Sequence, residues 1–444
     1  MTTAEHARGH LRVGAASVDI TPAVGVAMQG YGLRYAEAIT DPLLASALAV
    51  GSDRVEWLLL SVDSIGLDRT FTARVREAIG RQFQLVPSAI TITCSHTHSG
   101  PATLPKLGPV VADAAYLSFL EQRLAQAAEG ASAKLELARW RFGVSSFPEN
   151  VNRRMSKRGR IELGVNPSGP VDDRLRVLRI DPAATSDRQA PFALIVHYAC
   201  HATSSADVPH ISADWPGAMR TALQRVYGEN GKPPVICFLQ GCTGDLTHRI
   251  ARDREAWPQH FDQHTSVQAL ILGRLAAAAA LYASERSLEF AAETIQTGAQ
   301  PLELPFRDCP GSEKSEVQVV RIGQTIEHRA GAMDAVWFIG LPGEPFTHYS
   351  TEIGRQFQRR LGAHQDKVLV CGYTNDDVGY ICTSKALRQG GYEAALAHKM
   401  YHRPSPFSAA TEAIILNRSL SAARTLAEKT MTRWAPIPFE PLRR

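Results

Sequence analysis

Two histidines lie two residues apart where an alternating apolar segment ends. The segment is TITCSHTHSGPA, residues 91–102, and the histidines are His96 and His98. Alternate side chains of a strand share one face, so the face that buries Ile92 and Cys94 would continue to both imidazoles. Such a pair can bind one metal together, or one histidine can bind it while the other performs acid–base chemistry. Two hydrogen-bonded loop histidines would have the same spacing.

A second apolar segment, FALIVHYACHATSS, also runs into histidines, His197 and His201. The Val/Ile run favours a strand, and no HExxH sequence is present, which excludes that metalloprotease signature. We expect one of these histidines to be a metal ligand and the other to be structural. His201 is favoured as the ligand because it lies nearest the end of the strand, where functional residues gather.

A carboxylate and two tyrosines are further candidates. Glu344 lies between Gly343 and Pro345 after the apolar AVWFIG, so a rigid turn would position it, although a lone loop glutamate is more often solvated. Tyr380 and Tyr392 have neighbouring glycines, and a tyrosine hydroxyl can stabilise an oxyanion. Packing is the commoner role of a single tyrosine. Three aspartates at strand ends could orient a ligand histidine or cap turns: Asp63, Asp214 and Asp245.

The elements that must position these residues alternate between strands and helices. This pattern predicts an α/β fold, with α+β as the alternative, in which a mixed sheet with flanking helices forms a metallohydrolase catalytic domain. We expect one domain over residues 1–444, with lobes at 1–290 and 291–444. An amphipathic helix over DAAYLSFLEQRLAQAAEGAS is expected to stop at Gly130. The basic segment 152–160, NRRMSKRGR, is expected to be mostly a solvated loop.

Composition excludes several functional classes. A net charge of +4 from 48 basic and 44 acidic side chains is too balanced to indicate a nucleic-acid partner. The seven cysteines are odd in number and include no CxxC, which favours a reducing compartment, and we expect a cytoplasmic protein. The first residues contain no apolar signal region, and no uninterrupted apolar run reaches about 18 residues, so no membrane span is expected.

Several motifs in order resemble the neutral/alkaline non-lysosomal ceramidase family of zinc-dependent amidases. The resemblance covers most of the chain, from VDITP and GYGLR to GGYE, and SHTHSGP is its most specific part. The other motifs follow in the order NRR…NPSGPVDDRLRVLRI, HATS, SADWPG, QGCTGDLT, LPGEPF and GYICT…GGYE. The chain is therefore expected to be a short form of that family, without the C-terminal β-domain of better-known ceramidases.

The resemblance implies a metal site and roles for its neighbours. It implies one Zn²⁺ per chain, with the four ligands His96, His201, Glu344 and Tyr380. His98 would lie beside the metal-bound water and pass a proton to the leaving amine. The two remaining implied roles are binding of a substrate oxygen by Arg153 and stabilisation of the oxyanion by Tyr392.

The activity implied by the resemblance is hydrolysis of a linear amide by zinc-bound hydroxide. Two neutral imidazoles and one carboxylate leave the ion a positive charge, which acidifies water to a pKa of about 7. The substrate would be a small-molecule N-acyl amine, either ceramide-like or smaller, and loops 103–115 and 303–315 would set its acyl length. An esterase or lactonase on the same site is the alternative, followed by a non-catalytic binding protein. A homo-oligomer is compatible with the sequence.

The chain departs from the family at one segment. Better-known ceramidases have Gly-Asp-Val-Ser-Pro where this chain has the segment from Gly244 to His248, so Thr247 occupies the position of the serine once regarded as a nucleophile. A threonine there can still form a hydrogen bond. Nothing in the segment indicates a covalent route, which leaves hydrolysis by water as the expected chemistry.

Overall fold

The computed structural model describes residues 11–105, 107–184, 190–205, 208–229, 231–250, 266–324 and 334–431. The helices are α1 (Arg69–Phe83), α2 (Ala114–Ser132), α3 (Asp214–Gly228), α4 (Ser266–Glu285), α5 (Thr347–Leu361), α6 (Ser384–Gln389) and α7 (Ala410–Met431). The strands of the first part are β1 (Arg12–Asp19), β2 (Ala27–Met28), β3 (Arg34–Tyr35), β4 (Ala38–Ile39), β5 (Leu44–Gly51), β6 (Val55–Val62), β7 (Ile90–Cys94), β8 (Glu136–Ser146), β9 (Asn150–Lys157), β10 (Arg160–Asn166) and β11 (Arg174–Pro182). The remaining strands are β12 (Ala193–Tyr198), β13 (His210–Ile211), β14 (Val235–Gln240), β15 (Leu246–His248), β16 (Leu288–Phe290), β17 (Thr294–Pro305), β18 (Ser312–Gly323), β19 (Val336–Gly340), β20 (Glu344–Pro345), β21 (Val368–Cys371) and β22 (Tyr380–Ile381).

Two mixed sheets pack face to face between two layers of helices. The larger sheet has the order β14-β12-β11-β8-β1-β5-β6-β7, with β16 paired to β8, and the smaller has the order β17-β18-β19-β21. Helices α1 to α4 cover the outer face of the larger sheet, whereas α5 and α7 cover the smaller sheet. The predicted mixed-sheet α/β class with flanking helices is therefore confirmed, as four layers.

The alternation of side chains explains why the strands are apolar on both faces. In β6, Leu58 and Leu60 pack under α1 and α2, whereas Trp57 and Leu59 face the smaller sheet. In β19, Trp337 likewise faces the helices and Phe338 faces the larger sheet. A strand buried on both faces must be apolar throughout, which is the continuous pattern seen in the sequence.

Parallel strand pairs bring several carboxyl ends to one edge of the structure. The pairs are β6 with β7, β12 with β14, and β19 with β21, while most other neighbours are antiparallel. The chain leaves the ends of these strands through the segments that hold the candidate residues. The carboxyl ends of parallel strands are where open α/β sheets place their ligand sites.

A buried glutamine holds three of these strand ends together. The side-chain amide of Gln240, the last residue of β14, donates to the carbonyls of Ser95 and Cys200, both at 2.9 Å. Its amide oxygen accepts from the Cys200 amide at 3.2 Å, and its own carbonyl accepts from Gly372 of the smaller sheet at 3.0 Å. Gln240 therefore ties the segments after β7, β12 and β21 to β14.

Three local expectations were wrong. Strand β7 ends at Cys94, and His96 has a φ of 61°, so the alternating face of the strand does not continue to the histidines. Helix α2 continues through Gly130. A side chain at this position would press against Ala16 of β1, so the glycine permits the helix to pack closely on the strand. The basic segment 152–160 forms part of the β9–β10 hairpin and is not a loop, but three of its five basic residues, Lys157, Arg158 and Arg160, are exposed as expected.

Helix α4 is long and apolar enough, by length and composition, to cross a bilayer. Its buried residues, including Leu272, Ala276 and Ala280, pack with Trp215 and Met219 of α3 and with the larger sheet. A helix that packs inside a protein core meets the same two criteria.

Replacement of Gln240 tests its role in joining the strand ends. Gln240→Met preserves the length of the side chain but leaves the Ser95 and Cys200 carbonyls without their donor, so we expect the free energy of unfolding to fall by about 2–5 kcal/mol. Denaturant unfolding followed by fluorescence measures the change. The matched control is Gln82→Met, an exposed position, where we expect a change within about 0.5 kcal/mol. Equal midpoints for Gln240→Met and the wild type would contradict the role.

Candidate metal centre

The two histidine segments lie side by side at the edge where the strands end. The amide of His98 donates to the Ala202 carbonyl at 3.1 Å, and Thr97 forms a parallel bridge with Ala202. The indole of Trp215, in α3, donates to the His201 carbonyl at 3.1 Å. These backbone contacts fix the separation of the histidines, which the sequence places about a hundred residues apart.

His96 is held with one ring nitrogen turned inward and the other available. Its Nδ1 lies 2.6 Å from the Ile65 carbonyl, which can only accept, so the proton resides on Nδ1. Its Nε2 then presents a lone pair. A second hydrogen bond that fixes the tautomer is what metal-binding histidines commonly have. The left-handed backbone of His96 is a strained conformation of the kind that concentrates at functional sites.

Glu344 reaches the histidines from the smaller sheet. Its Oε2 lies 3.5 Å from Nε2 of His96 and 3.3 Å from Nε2 of His201. All three side chains are buried. The preceding Gly343 has a φ of 67°, and a side chain there would overlap the backbone of Gly379, so the turn before the carboxylate requires glycine.

The electrostatics favour an anion beside neutral imidazoles. Burial alone would raise the pKa of Glu344, but the adjacent His96 and His201 hold that pKa well below its usual range. Burial, followed by the charge of Arg153, lowers the pKa of His201 to about 3. Burial and the neighbouring imidazoles also hold the pKa of His98 well below its usual range. At neutral pH the cluster therefore offers the Glu344 carboxylate and the uncharged imidazoles of His98 and His201.

Two tyrosines that were not predicted complete the surroundings of the carboxylate. The hydroxyl of Tyr401 donates to Oε1 of Glu344 at 2.6 Å, and that of Tyr373 donates to Oε2 at 3.4 Å. The ring of Tyr373 also stacks on His96, with centroids 4.0 Å apart. Tyr373 could have been found, because it follows a buried strand as the histidines do. Tyr401 lies in an irregular segment without such a signal.

His98 lies at the open side of the cluster. Its Nε2 is 3.0 Å from Nε2 of His96, and Tyr31 meets its ring edge-on with centroids 5.3 Å apart. Gly30 has a φ of 105°, and a side chain there would overlap the imidazole. The guanidinium of Arg34 donates to the carbonyl of His98. The glycine-rich loop noted in the sequence thus packs against this histidine.

Arg153 connects the cluster to both predicted tyrosines. Its guanidinium donates to the Tyr380 hydroxyl at 2.9 Å and lies 3.3 Å from Nε2 of His201. The fully buried carboxylate of Glu393, next to Tyr392 in the chain, accepts from Arg153 at 2.9 Å. The rings of Tyr380 and Tyr392 are 5.7 Å apart. Burial, followed by the nearby Glu344, raises the pKa of Tyr392 to about 12, so its hydroxyl remains a donor.

The other candidates from the sequence lie elsewhere. His197 bonds to the Val370 carbonyl at 3.0 Å and contacts Arg176, so it packs between the sheets. None of the three aspartates orients a histidine: Asp63 pairs with Arg220, Asp214 accepts from Ser205, and Asp245 accepts from Thr347. The Ile65 carbonyl performs that task for His96, which a search for acidic residues could not have found.

The donor atoms fit a metal ion. Within the described residues, ring nitrogens of His96, His98 and His201 lie within 4.8 Å of one another. Two ligand atoms about 2.1 Å from a tetrahedral zinc ion are about 3.4 Å apart. The distances from Glu344 to His96 and His201, 3.5 and 3.3 Å, agree with that spacing. Nδ1 of His201 has no hydrogen-bond partner, whereas its Nε2 faces an N–H group of Arg153 at 3.3 Å.

Zinc binding to this cluster should stabilise the folded chain. An ion that binds only the native state adds about 2.7 kcal/mol to the free energy of unfolding at a concentration of 100 times its Kd. We expect zinc to shift denaturant unfolding of the metal-stripped protein, and His201→Ala to abolish the shift. The control His197→Ala, four residues away on the same segment, should be less stable but keep the zinc-dependent shift. Loss of the shift in both variants would contradict the assignment.

The fold of the chain is similar to that of proteins with solved structures. No protein-family model matches the chain, and no curated protein matches it. The neutral ceramidase from Pseudomonas aeruginosa superposes with a TM-score of 0.76 and 17% sequence identity, over 95% of this chain and 75% of the ceramidase. A ceramidase complexed with C2 gives 0.73 and 16%, over 95% of this chain and 76% of that one. The chain therefore has a neutral ceramidase-like fold, as its motifs predicted.

Proposed function

We propose that this chain is a zinc-dependent hydrolase of a linear amide. The observation that carries the proposal is the meeting of His96, His201 and Glu344 donor atoms at spacings that suit a tetrahedral ion. Three protein ligands of nitrogen and oxygen type are typical of catalytic zinc sites, whereas structural sites are usually rich in cysteine. Tyr380 would be the fourth ligand, which gives one zinc ion per chain.

The fold of the chain supports an amide as the substrate class. Both structural neighbours are named as ceramidases, and ceramide is an N-acyl amine. Fold similarity alone does not assign a reaction, so the assignment rests on the residues of the cluster. An ester or a lactone presents the same kind of carbonyl, and a substrate panel that includes both separates these reactions from amide hydrolysis.

The residues around the ion would divide the work of hydrolysis. A bound zinc ion supplies a water of lowered pKa and polarises the carbonyl oxygen of the substrate. His98, neutral and at the open side, would accept the proton of the attacking water and return it to the leaving amine. The Tyr392 hydroxyl would donate to the oxyanion that develops from the carbonyl.

Arg153 would orient the substrate once the metal is in place. Its NH1 group now points at Nε2 of His201, at 3.3 Å, and so occupies the lone pair that a metal would need. Metal binding would release that N–H for a substrate oxygen. The Glu393 carboxylate and the Gly244 carbonyl, 2.9 and 2.8 Å away, hold the rest of the guanidinium in position.

The division between His96 and His98 can be tested by replacing each with alanine. We expect His96→Ala to lose both zinc and activity, because it removes a ligand. His98→Ala should retain about one zinc per chain but lose about 10²- to 10⁴-fold in kcat, because it removes the proton carrier. Metal analysis and amide hydrolysis provide the two measurements. A fully active His98→Ala enzyme would refute the acid–base role, and a metal-free one would make His98 a ligand.

The oxyanion role of Tyr392 predicts a selective effect on kcat. Tyr392→Phe keeps the ring but removes the donor, so we expect kcat to fall by about 10²- to 10³-fold with little change in KM. The matched control is Tyr282→Phe, which alters an exposed tyrosine of α4 and should leave both constants unchanged. A rise in KM with unchanged kcat would instead show that Tyr392 binds the substrate and the transition state equally well.

A further inference from the structure

A small cavity lies against the metal donors. Its volume is about 40 Å³, and His96, His98, Glu344, Tyr380 and Tyr392 form its polar side. A cavity of about 10–15 Å³ is enough to hold one water molecule, so this one holds about three, which is the size of an acetyl or propionyl group. Pockets for drug-sized ligands usually measure about 300–1,000 Å³. The cavity is therefore too small for a long alkyl chain.

The cavity also has an apolar wall, formed by Leu107, Pro109, Val110 and Met400. Leu107 and Val110 are buried, and their backbones form an isolated antiparallel β-bridge. The amide of Gly108 donates to the Met400 carbonyl at 2.7 Å, which joins the two segments of the wall.

A buried glutamine fixes the wall from behind. The side-chain amide of Gln29 donates to the carbonyls of Leu104, Leu107 and Val110, at 2.6, 3.3 and 3.5 Å. Its oxygen accepts from the amides of Thr103 and Leu104, both at 3.0 Å. The side chain of Gln29 thus ties the backbone at Leu104, Leu107 and Val110 to the loop that also carries Gly30. The wall is a packed part of the structure.

A larger cavity, which shares Tyr401 with the small one, does not suit an alkyl chain. It measures about 690 Å³. Its lining includes the charged side chains of Asp68, Arg69, Lys314 and Arg403. Placing an alkyl chain among such groups would remove their water without replacing its hydrogen bonds. A long acyl chain would therefore not be accommodated there.

The open side of the small cavity lies at the proton carrier. Tyr31 and Gly32, which line this side, are exposed, and the ring of Tyr31 meets that of His98. In the proposed reaction His98 returns a proton to the leaving amine, so the amine must lie at the open side. The carbonyl then lies at the donors, and the acyl group points at the apolar wall.

We propose that the substrate is the amide of a short carboxylic acid, of acetyl or propionyl size, whose amine portion extends outward past Tyr31. This inference rests on the proposed function. In the reaction, the carbonyl carbon gains a bond to the oxygen of water and loses its bond to nitrogen. One proton of the water passes through His98 to that nitrogen and the other is released to solvent, which gives a short carboxylate and a free amine. Residues 107–110 and Met400 determine the acyl length.

A series of acyl chains on one amine tests the inference. We would assay the zinc-loaded chain on acetyl, butyryl, octanoyl and palmitoyl amides of 4-nitroaniline. Each methylene that a pocket rejects costs about 10-fold or more in kcat/KM, so we expect the octanoyl amide to react at least about 100-fold more slowly than the acetyl amide. The binding of hydroxamates of the same acids, measured by calorimetry, provides a readout independent of turnover. We expect acetohydroxamate to bind more tightly than octanohydroxamate.

Two substitutions should enlarge the cavity. Leu107→Ala shortens a buried side chain of the wall, and Met400→Ala shortens an exposed one, so the second variant keeps the test valid if the first folds poorly. We expect each to narrow the difference between acetyl and octanoyl amides by about 10-fold. Leu275→Ala, on the surface of α4, is the matched control and should leave the difference unchanged.

The outcomes separate this inference from the proposed function. Equal or faster cleavage of octanoyl or palmitoyl amides would overturn the short acyl group while amide hydrolysis stands. If no amide is cleaved, the proposed function is wrong. Hydroxamate binding then tests by itself whether the wall limits the length of the acyl chain. Octanohydroxamate binding as tightly as acetohydroxamate would then overturn the wall as a limit on chain length.

Discussion

The buried carboxylate of Glu344 is the group on which the rest of the site depends. A charge removed from water is costly unless hydrogen bonds and opposite charges compensate it. Here the hydroxyls of Tyr373 and Tyr401 donate to the carboxylate, and imidazoles on two loops of the larger sheet face it. Strand ends of both sheets must therefore meet at this point, because neither sheet holds all the partners. A metal ion would add positive charge beside the carboxylate, where the imidazole nitrogens present lone pairs.

Strained backbone at the strand ends is part of the same arrangement. His96, Tyr373 and Asn375 all have positive φ, although none is glycine. Such conformations persist only where the surroundings over-determine them, and here they do. Asn375 bonds to the amide of Ile92, and Gln240 bonds to the carbonyls of the two histidine segments, so hydrogen bonds fix the turns on both sides of the metal donors.

The neutral ceramidase-like fold supplies the donors, but the walls around them decide what can be bound. The polar half of the small cavity consists of residues that the motifs identify, whereas the apolar half comes from a segment after the histidine loop and from Met400. A shared fold can thus hold the same chemistry and select different substrates, because loops change more readily than the sheet that supports the reacting groups. The apolar wall at residues 107–110 is the feature on which the proposed acyl length rests.

The order of strands and helices, the α/β class and the candidate ligands were determined by the sequence itself, because burial on both faces and the turns after strands leave local patterns. His96, His201, Glu344 and Tyr380 each follow such a pattern, and the structure brings the first three into direct contact. Only the tertiary structure decided that β7 ends before His96, which groups the histidines contact, and how closely Gly130 packs. Gln240 is separated from Ser95 by 145 residues, and Tyr401 from Glu344 by 57. No local pattern specifies contacts at such distances, since they depend on how the two sheets pack.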